Sequence, residues 1–215
     1  MSYIKFRKIS NHKHLTIMKK DSKEVNSKKL PALFFDRDGV IIKERNYISK
    51  PQDVEISEGI RKLLKISKNS GWLNIIITNQ SGISRGFFNW KDYEKVTNEI
   101  FLKIIDPKLI DAIYANGEAP NTETQIDSWR KPNPNMILKA VEDFNIDINY
   151  SIIIGDRLSD LEAGKRAGIK KFVHVLTGHG YKERDVIIEE FKYYNLILLN
   201  NLTFFPHKDL LLKAY

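Results

Sequence analysis

Short apolar runs alternate with amphipathic stretches along most of the chain, from residue 30 onward. Six apolar runs of strand length predict β-strands at 33–35, 73–77, 110–115, 151–154, 171–176 and 196–199. Four stretches with apolar residues at helical spacing predict helices at 58–69, 90–105, 133–144 and 158–167. Strands that alternate with helices form βαβ units. The pattern therefore predicts an α/β fold, a Rossmann-like parallel sheet with helices on both faces.

Distinctive polar residues stand where three of the predicted strands end. They are Asp36 and Asp38, Thr78 and Asn79, and Asp156 and Asp160. Ligands of open parallel sheets bind beyond the carboxyl ends of the strands. Because the fold brings these three loops to one edge, we expect the functional site there.

The first pair, Asp36 and Asp38, is separated by one residue. In an extended chain both carboxylates point to the same side, and close carboxylates usually need a cation. A hard divalent ion such as Mg²⁺ suits them. Asp36 can attack phosphorus to form an aspartyl phosphate, while Asp38 can protonate the leaving alkoxide and later deprotonate water. Taken alone, the motif is equally compatible with a solvated turn.

The other loops offer groups that suit a phosphate. The Thr78 hydroxyl, the Asn79 amide and nearby backbone N–H groups can cradle its oxygens, although a turn or helix cap uses the same residues. Lys131 precedes a proline, which keeps it out of a helix, and it can neutralise charge. Asp156 beside a glycine suits a metal ligand. Asp160 can act in the outer sphere, orient Lys131, or simply favour a helix N-terminus.

Five motifs occur in a fixed order along the chain. They are DRDG at 36–39, NYI at 46–48, TNQSGISRG at 78–86, RKPNP at 130–134, and GDR at 155–157 with Asp160. In this order they resemble the haloacid dehalogenase (HAD) superfamily of phosphatases. The chain is similar over about residues 31–180 to the branch that contains heptose-bisphosphate and histidinol-phosphate phosphatases.

The resemblance implies a role for each motif. Asp36 would be the nucleophile and Asp38 the acid–base group, and Mg²⁺ would be bound by Asp36, Asp156 and the main-chain carbonyl of Asp38. The remaining site residues would be Thr78, Asn79 and Lys131 for the phosphoryl group, Arg130, Arg85 and Gln80 for substrate, and Arg157 and Asp160 in support. Arg130 would reach the second phosphate of a sugar bisphosphate, a task that suits its planar fork.

The resemblance therefore implies a magnesium-dependent phosphomonoester hydrolase with no large cap domain. Its expected substrate is a small sugar phosphate, heptose 1,7-bisphosphate, from which it would remove the 7-phosphate through an aspartyl-phosphate intermediate. Histidinol-phosphate phosphatase and polynucleotide 3′-phosphatase activities remain alternatives, as does a non-catalytic scaffold. Each shares most of these motifs, so the residues alone leave the choice open.

The chain departs from that branch in the loop after the third predicted strand. Many members hold a structural zinc there with Cys and His ligands, but residues 115–129 contain neither type and the chain has no cysteine. We therefore predict that zinc is not a cofactor. The absence of cysteine also excludes a thiolate nucleophile. The shape of this loop, and with it the substrate preference, is left undetermined.

The net charge of +8 is concentrated at the N-terminus. Residues 1–29 hold nine Lys or Arg and two acidic residues, so they contribute +7. We expect a basic, frayed extension at 1–29, a phosphatase domain at 30–200, and a C-terminal helix or extension at 201–215. A basic tail is weak support for a nucleic-acid partner. Because no run of about 18 apolar residues occurs, we expect no membrane span. We also expect a cytoplasmic monomer that has no nucleic-acid partner.

Overall fold

One mixed sheet organises the chain in the computed structural model, which describes residues 6–19, 28–120 and 125–211. Its eight strands are β1 (Phe6–Ser10), β2 (His14–Lys19), β3 (Ala32–Phe35), β4 (Leu73–Asn79), β5 (Ala112–Asn116), β6 (Ile152–Gly155), β7 (Lys171–Val175) and β8 (Asn195–Leu199). The helices are α1 (Ile60–Asn69), α2 (Trp90–Ile104), α3 (Asn135–Phe144), α4 (Leu158–Ala167), α5 (Gly180–Glu190) and α6 (His207–Leu210).

The strands lie in the order β1-β2-β5-β4-β3-β6-β7-β8. The six strands from β5 to β8 in this order are mutually parallel. The chain runs outward from β3 through β4 to β5 and then returns to place β6 on the other side of β3. The order reverses between β3 and β6, and such a switch point opens a crevice at the carboxyl edge. The predicted α/β architecture is confirmed.

Two apolar layers cover the sheet, one on each face. On one face α1 and α2 bury residues such as Leu63 and Ile100 against the strands. On the other face α3, α4 and α5 bury Ile137, Leu161 and Ile187. Each fully buried side chain of this size contributes about 1.5–3 kcal/mol. Helices therefore stabilise both faces, as the alternating pattern predicts.

The N-terminal segment is not frayed where the structure describes it, so that expectation is wrong for residues 6–19. There β1 and β2 form an antiparallel hairpin, and β2 extends the sheet by pairing antiparallel with β5. The reason is burial, because Leu15 and Ile17 enter one apolar layer and Met18 enters the other. Residues 20–27 lie outside the described ranges. The division into an extension and a domain at residue 29 stays a prediction.

The helix ends follow local chemistry. α1 begins at Ile60, after Gly59 with a φ of 81°, rather than at residue 58. Asn89 caps α2 by accepting from the backbone N–H groups of Lys91 and Asp92, the usual device at a helix start. α5 was not predicted, since it buries only Gly180 and Ile187 and so has little apolar pattern.

The C-terminal residues pack against α1, consistent with the predicted helix or extension. Leu202, Phe205 and Leu210 are buried in the same apolar layer as that helix.

Among the residues that the structure describes, none of the helices has both the length and the apolar character needed to cross a bilayer.

Candidate active site

The loops at the switch point converge on one lysine. Lys131 Nζ lies 2.8 Å from Asp36 Oδ1 and 2.7 Å from Asp160 Oδ1. It also donates to the carbonyl of Ile77, at 3.0 Å. The side chain is buried, and three acceptors match the three hydrogens of an ammonium group. Lys131 is therefore fixed between the carboxylates that follow β3 and β6.

Asn79 holds the backbone of this lysine. Its Oδ1 accepts from the N–H of Lys131 at 3.1 Å, and its Nδ2 donates to the carbonyl of Lys131 at 3.2 Å. Asn79 also lines the cleft described below. Thr78 is buried, and its Oγ1 accepts from Gln80 Nε2 at 2.8 Å. Thr78 and Asn79, two of the three residues expected to bind the phosphoryl group, thus have protein partners in this structure.

Three buried carboxylates lie beside the lysine. Asp36, Asp156 and Asp160 each offer an oxygen, and these oxygens lie within 4.8 Å of one another. The backbone N–H of His179 donates to Asp156 Oδ2 at 2.7 Å. Asp156 Oδ1 is buried and has no hydrogen-bond partner among the described residues. An orphaned oxygen in a cluster of carboxylates fits a hard divalent cation such as Mg²⁺.

The carboxylate cluster contains two of the predicted metal ligands, Asp36 and Asp156, together with Asp160, which was expected in a supporting role. The Asp38 side chain is outside this cluster and is paired with Arg37. Asp160 Oδ2 also accepts from the N–H of Arg157 at the start of α4. It therefore combines the capping role with the contact to Lys131. A ligand role for the main-chain carbonyl of Asp38 stays a prediction.

Two glycines allow the chain to approach Asp156 closely. A Cβ atom on Gly39 would lie 2.5 Å from Asp156 Oδ2, and one on Gly178 would lie 2.2 Å from the same oxygen. The φ angles of these glycines, 86° and 57°, are also unfavourable for other residues. Gly178 belongs to a loop after β7 in which the hydroxyl of Thr177 donates to the carbonyl of Gly39.

Sequence reasoning missed this loop after β7. Besides its contact with Asp156, it brings His179 into the cleft, where His179 Nε2 lies 3.8 Å from Glu44 Oε2. Thr177, Gly178 and His179 follow a predicted strand directly. The criterion applied to the other strand ends would have found them.

Burial dominates the electrostatics of the carboxylates. Burial, together with Asp160 and Asp38, raises the pKa of Asp36 to about 7, even though Lys131 opposes the rise. Burial, together with Asp160 and Asp36, raises the pKa of Asp156 well above its usual value. Burial lowers the pKa of Lys131, but the two aspartates that it contacts outweigh this and raise it. Without a metal ion the cluster therefore tends to retain protons.

Asp38 is held by a buried arginine that sequence reasoning did not assign a role. Arg37 donates through Nε and Nη2 to the two oxygens of Asp38, at 3.0 and 2.8 Å. Gln80 Nε2 donates to Asp38 Oδ2 at 2.8 Å. The guanidinium also lies over the ring of Tyr93, with its carbon 4.9 Å from the ring centroid. Bidentate pairs of this kind fix geometry as well as charge.

A cleft of about 490 Å³ opens onto these groups. Its lining includes most of the predicted residues, namely Asp36, Asp38, Asn79, Gln80, Arg85, Arg130, Lys131, Arg157 and Asp160. Thr78 and Asp156 lie behind that lining. Tyr47 also lines the cleft, and Arg85 lies over its ring at 5.8 Å. Four arginines, including Arg37, and one lysine line the cleft together with four carboxylates, which are Asp36, Asp38, Glu44 and Asp160. The small excess of cations suits an anionic ligand.

Known proteins share both the sequence and the fold. A family model described as HAD-hydrolase-like matches residues 128–193. The chain is 40% identical over 183 residues to the D-glycero-alpha-D-manno-heptose-1,7-bisphosphate 7-phosphatase of Photorhabdus laumondii, covering 81% of this chain and 93% of that protein. It is 42% identical over 142 residues to the corresponding beta-named phosphatase of Helicobacter pylori, covering 65% and 79% respectively.

Among solved structures, the D,D-heptose 1,7-bisphosphate phosphatase from B. bronchiseptica, complexed with magnesium and phosphate, superposes with a TM-score of 0.69. The match covers 81% of this chain and 94% of that chain at 22% identity, so it bears on the fold alone. The identity to the Photorhabdus protein, over most of both chains, bears on the family. This chain therefore belongs to the family of HAD-like hydrolases that contains these heptose-bisphosphate phosphatases.

Proposed function

We propose that this protein is a magnesium-dependent phosphatase that removes the 7-phosphate of D-glycero-D-manno-heptose 1,7-bisphosphate. The observation that carries the proposal is the placement of Asp36, paired with Lys131, beside two further buried carboxylates at the end of a cationic cleft. The names of the two relatives supply the substrate, and they differ in the anomer. The chemistry follows from the residues of this chain.

The first half-reaction uses Asp36 as the nucleophile. A carboxylate oxygen of Asp36 attacks phosphorus, the bond between phosphorus and the sugar oxygen breaks, and Asp38 gives the leaving alkoxide a proton. Lys131, 2.8 Å from Asp36, offsets the charge of the incoming phosphate. Asp38 lies in the cleft lining, where its pair with Arg37 orients the carboxyl group.

The second half-reaction hydrolyses the aspartyl phosphate. Asp38, now a carboxylate, takes a proton from water, the resulting hydroxide attacks phosphorus, and the bond to Asp36 breaks to release phosphate. Asp36 and Asp156 would hold Mg²⁺, with Asp160 beside them. Bound Mg²⁺ neutralises these carboxylates and polarises the phosphate oxygens. A metal-bound site therefore favours the deprotonated form of Asp36 that attack requires.

The charge of the cleft favours a bisphosphate over histidinol phosphate. Arg85, Arg130 and Arg157 line it in addition to Lys131. A second phosphate on the substrate would find a cationic partner there, and a guanidinium can bind it in a bidentate manner. Histidinol phosphate carries an ammonium group instead of a second phosphate, so it would gain no binding energy from these arginines.

Phosphate release from a panel of esters tests the proposal. The panel contains both anomers of the heptose bisphosphate, histidinol phosphate and a DNA end with a 3′-phosphate, each with Mg²⁺ or with EDTA. We expect the highest kcat/KM for a heptose bisphosphate and turnover only with Mg²⁺. A clear preference for histidinol phosphate or for the DNA end would overturn the substrate, and no release from any ester would favour a scaffold.

Two substitutions test the assigned roles. Asp36→Asn should abolish turnover. It should also abolish the aspartyl-phosphate intermediate, which rapid quenching should detect in the wild-type chain as a mass increase of one phosphoryl group. Asp38→Asn should slow both half-reactions by about 10²–10⁴-fold. Glu189→Gln is the matched control, since its side chain is 71% exposed on α5, outside the cleft lining. Turnover that survives Asp36→Asn would contradict the nucleophile.

A further inference from the structure

The turn of the N-terminal hairpin touches the loop that follows β5. The backbone N–H of Gly117 donates to the carbonyl of Lys13 at 2.7 Å. On its other side the turn is tied to α2, because Trp90 Nε1 donates to the carbonyl of His12 at 3.3 Å. The side chain of Asn11 closes the turn itself by accepting from two backbone N–H groups. The hairpin is thus anchored where it meets the loop.

Glu118 is the centre of this junction. Its Oε2 accepts from the hydroxyl of Ser128 at 2.7 Å and from the N–H of Trp129 at 3.3 Å. From the hairpin, Lys13 Nζ lies 3.4 Å from Oε1 and His14 Nε2 lies 3.5 Å from Oε2. Burial raises the pKa of Glu118, but the hydrogen bond from Ser128 and the contact with His14 outweigh it and lower the pKa. One carboxylate therefore joins both ends of the loop to the hairpin.

An aromatic stack reinforces the junction. The rings of His14 and Trp129 are nearly parallel, at 10°, and their centroids are 4.4 Å apart. Tyr114 of β5 lies on Trp129 at a centroid distance of 6.0 Å. Stacked aromatic pairs stabilise a structure beyond the effect of the area that they bury. Trp129 is therefore fixed by its backbone through Glu118 and by its ring through His14.

The junction leads directly to Arg130. The backbone N–H of Arg130 donates to Ser128 Oγ at 3.1 Å, and the same hydroxyl donates to Glu118. Arg130 lines the cleft. The next residue, Lys131, is anchored separately by Asn79 and Asp160. The junction can therefore position Arg130 without changing the position of Lys131, which lies beside the nucleophile.

We propose that Lys13, His14 and Glu118 form a hairpin clamp that positions Arg130 and so sets the preference for a substrate with a second phosphate. The inference rests on the proposed function, in which Arg130 binds that phosphate. The three clamp residues are positioning residues, since they act through the loop. Loss of the clamp should weaken substrate binding and spare the chemical steps.

Kinetics with two substrates test the preference. Glu118→Ala should raise KM for the heptose bisphosphate about tenfold, the equivalent of losing one or two hydrogen bonds, with kcat within about twofold. The kcat/KM for p-nitrophenyl phosphate, which has one phosphate, should stay within about twofold. Glu118→Gln keeps an acceptor for Ser128 but loses the charge that faces Lys13, so it should recover only part of the loss. Lys8→Ala is the matched control on the same hairpin, because Lys8 pairs with Glu94 of α2 instead.

A double substitution separates positioning from a general effect. If the clamp acts through Arg130, then Glu118→Ala should add little to the KM of an Arg130→Ala variant, because the contact has already been lost. Additive effects, or equal losses on both substrates, would overturn the proposal. An Arg130→Ala variant with an unchanged KM for the bisphosphate would instead refute the contact assumed in the proposed function.

Amide hydrogen exchange tests the clamp independently of catalysis. The N–H groups of Trp129 and Arg130 depend on Glu118 and Ser128 as acceptors, whereas the N–H of Lys131 depends on Asn79. In Glu118→Ala the first two amides should exchange at least tenfold faster, and that of Lys131 should not change. Unchanged exchange at Trp129 and Arg130 would overturn the clamp, whichever substrate the enzyme prefers.

Discussion

The raised pKa of Asp36 makes the stability of the metal-free protein depend on pH in a defined direction. The pKa is about 7 in the folded chain, against an ordinary value of 3.8 for an aspartate. As pH rises from about 4, the unfolded chain loses this proton first, so the folded chain binds more protons than the unfolded one. Folding is then penalised progressively until pH exceeds about 7. The full difference is on the order of 4 kcal/mol.

Urea unfolding in EDTA measures this effect when the wild type is compared with Asp36→Asn. The variant cannot titrate at this position, so its stability relative to the wild type should rise by about 3 kcal/mol between about pH 5 and pH 8. Glu189→Gln, with its exposed side chain, should follow the wild type across the range. Saturating Mg²⁺ should remove most of the dependence in the wild type, because the ion binds the deprotonated carboxylates.

The comparison also has a clear negative outcome. If the difference in unfolding free energy between wild type and Asp36→Asn were constant across this pH range, Asp36 would not hold a proton in the folded chain. Lys131, 2.8 Å away, would then outweigh burial. The carboxylate cluster would then not require a cation on electrostatic grounds.

Three further substitutions probe the same edge of the sheet. Lys131→Met leaves buried carboxylates without their cation and should cost about 3–5 kcal/mol in urea unfolding at about pH 8, and less at about pH 5, where they are protonated. Gly178→Ala places a Cβ 2.2 Å from Asp156 and should weaken Mg²⁺ binding at least tenfold by calorimetry, whereas Gly168→Ala, with positive φ but open space, should not. Arg37→Met removes the fork that orients the acid–base carboxylate, and kcat should fall about tenfold or more with little change in KM.

The convergence of Asp36 and Asp156 was accessible from sequence because topology enforces it, whereas Lys131 lies well beyond the end of β5 and was placed in the site by the family resemblance. Parallel strands bring their carboxyl ends to one edge, so polar residues at those ends must meet there. Asp160 was accessible for a local reason, since it lies one helical turn beyond Asp156. These inferences needed only the strand positions and the period of a helix.

The partners of Asp38 were not accessible in this way. Its carboxylate is held by Arg37, a chain neighbour, together with Gln80 from another loop. That geometry depends on side-chain rotamers and on the ring of Tyr93, which lies under the guanidinium from α2. Sequence spacing carries no information on which rotamer a buried arginine adopts. The arrangement therefore had to be read from the structure.

The N-terminal hairpin shows how composition can hide structure. Averaged over residues 1–29, the segment is dominated by lysine, which indicates a solvated tail. Leu15 and Ile17 alternate with polar Thr16, a pattern that indicates a half-buried strand. The pattern is short, and the strand pairs with β5, which is distant in the sequence. A strand of this length is stable only when an edge is available to pair with it.

The pairing of β2 with β5 also places the hairpin against the loop after β5, which contains no Cys or His. Glu118 follows β5 closely, so a strand paired antiparallel with β5 must deliver its turn, with Lys13 and His14, to that carboxylate. The pairing of β2 with β5 therefore also brings the clamp residues of the hairpin to Glu118. Removal of the hairpin would expose the backbone of β5 and release Glu118 together. The segment that looks dispensable by composition is joined to Arg130, the residue expected to hold the second phosphate, through three consecutive contacts: hairpin to Glu118, Glu118 to Ser128, and Ser128 to Arg130.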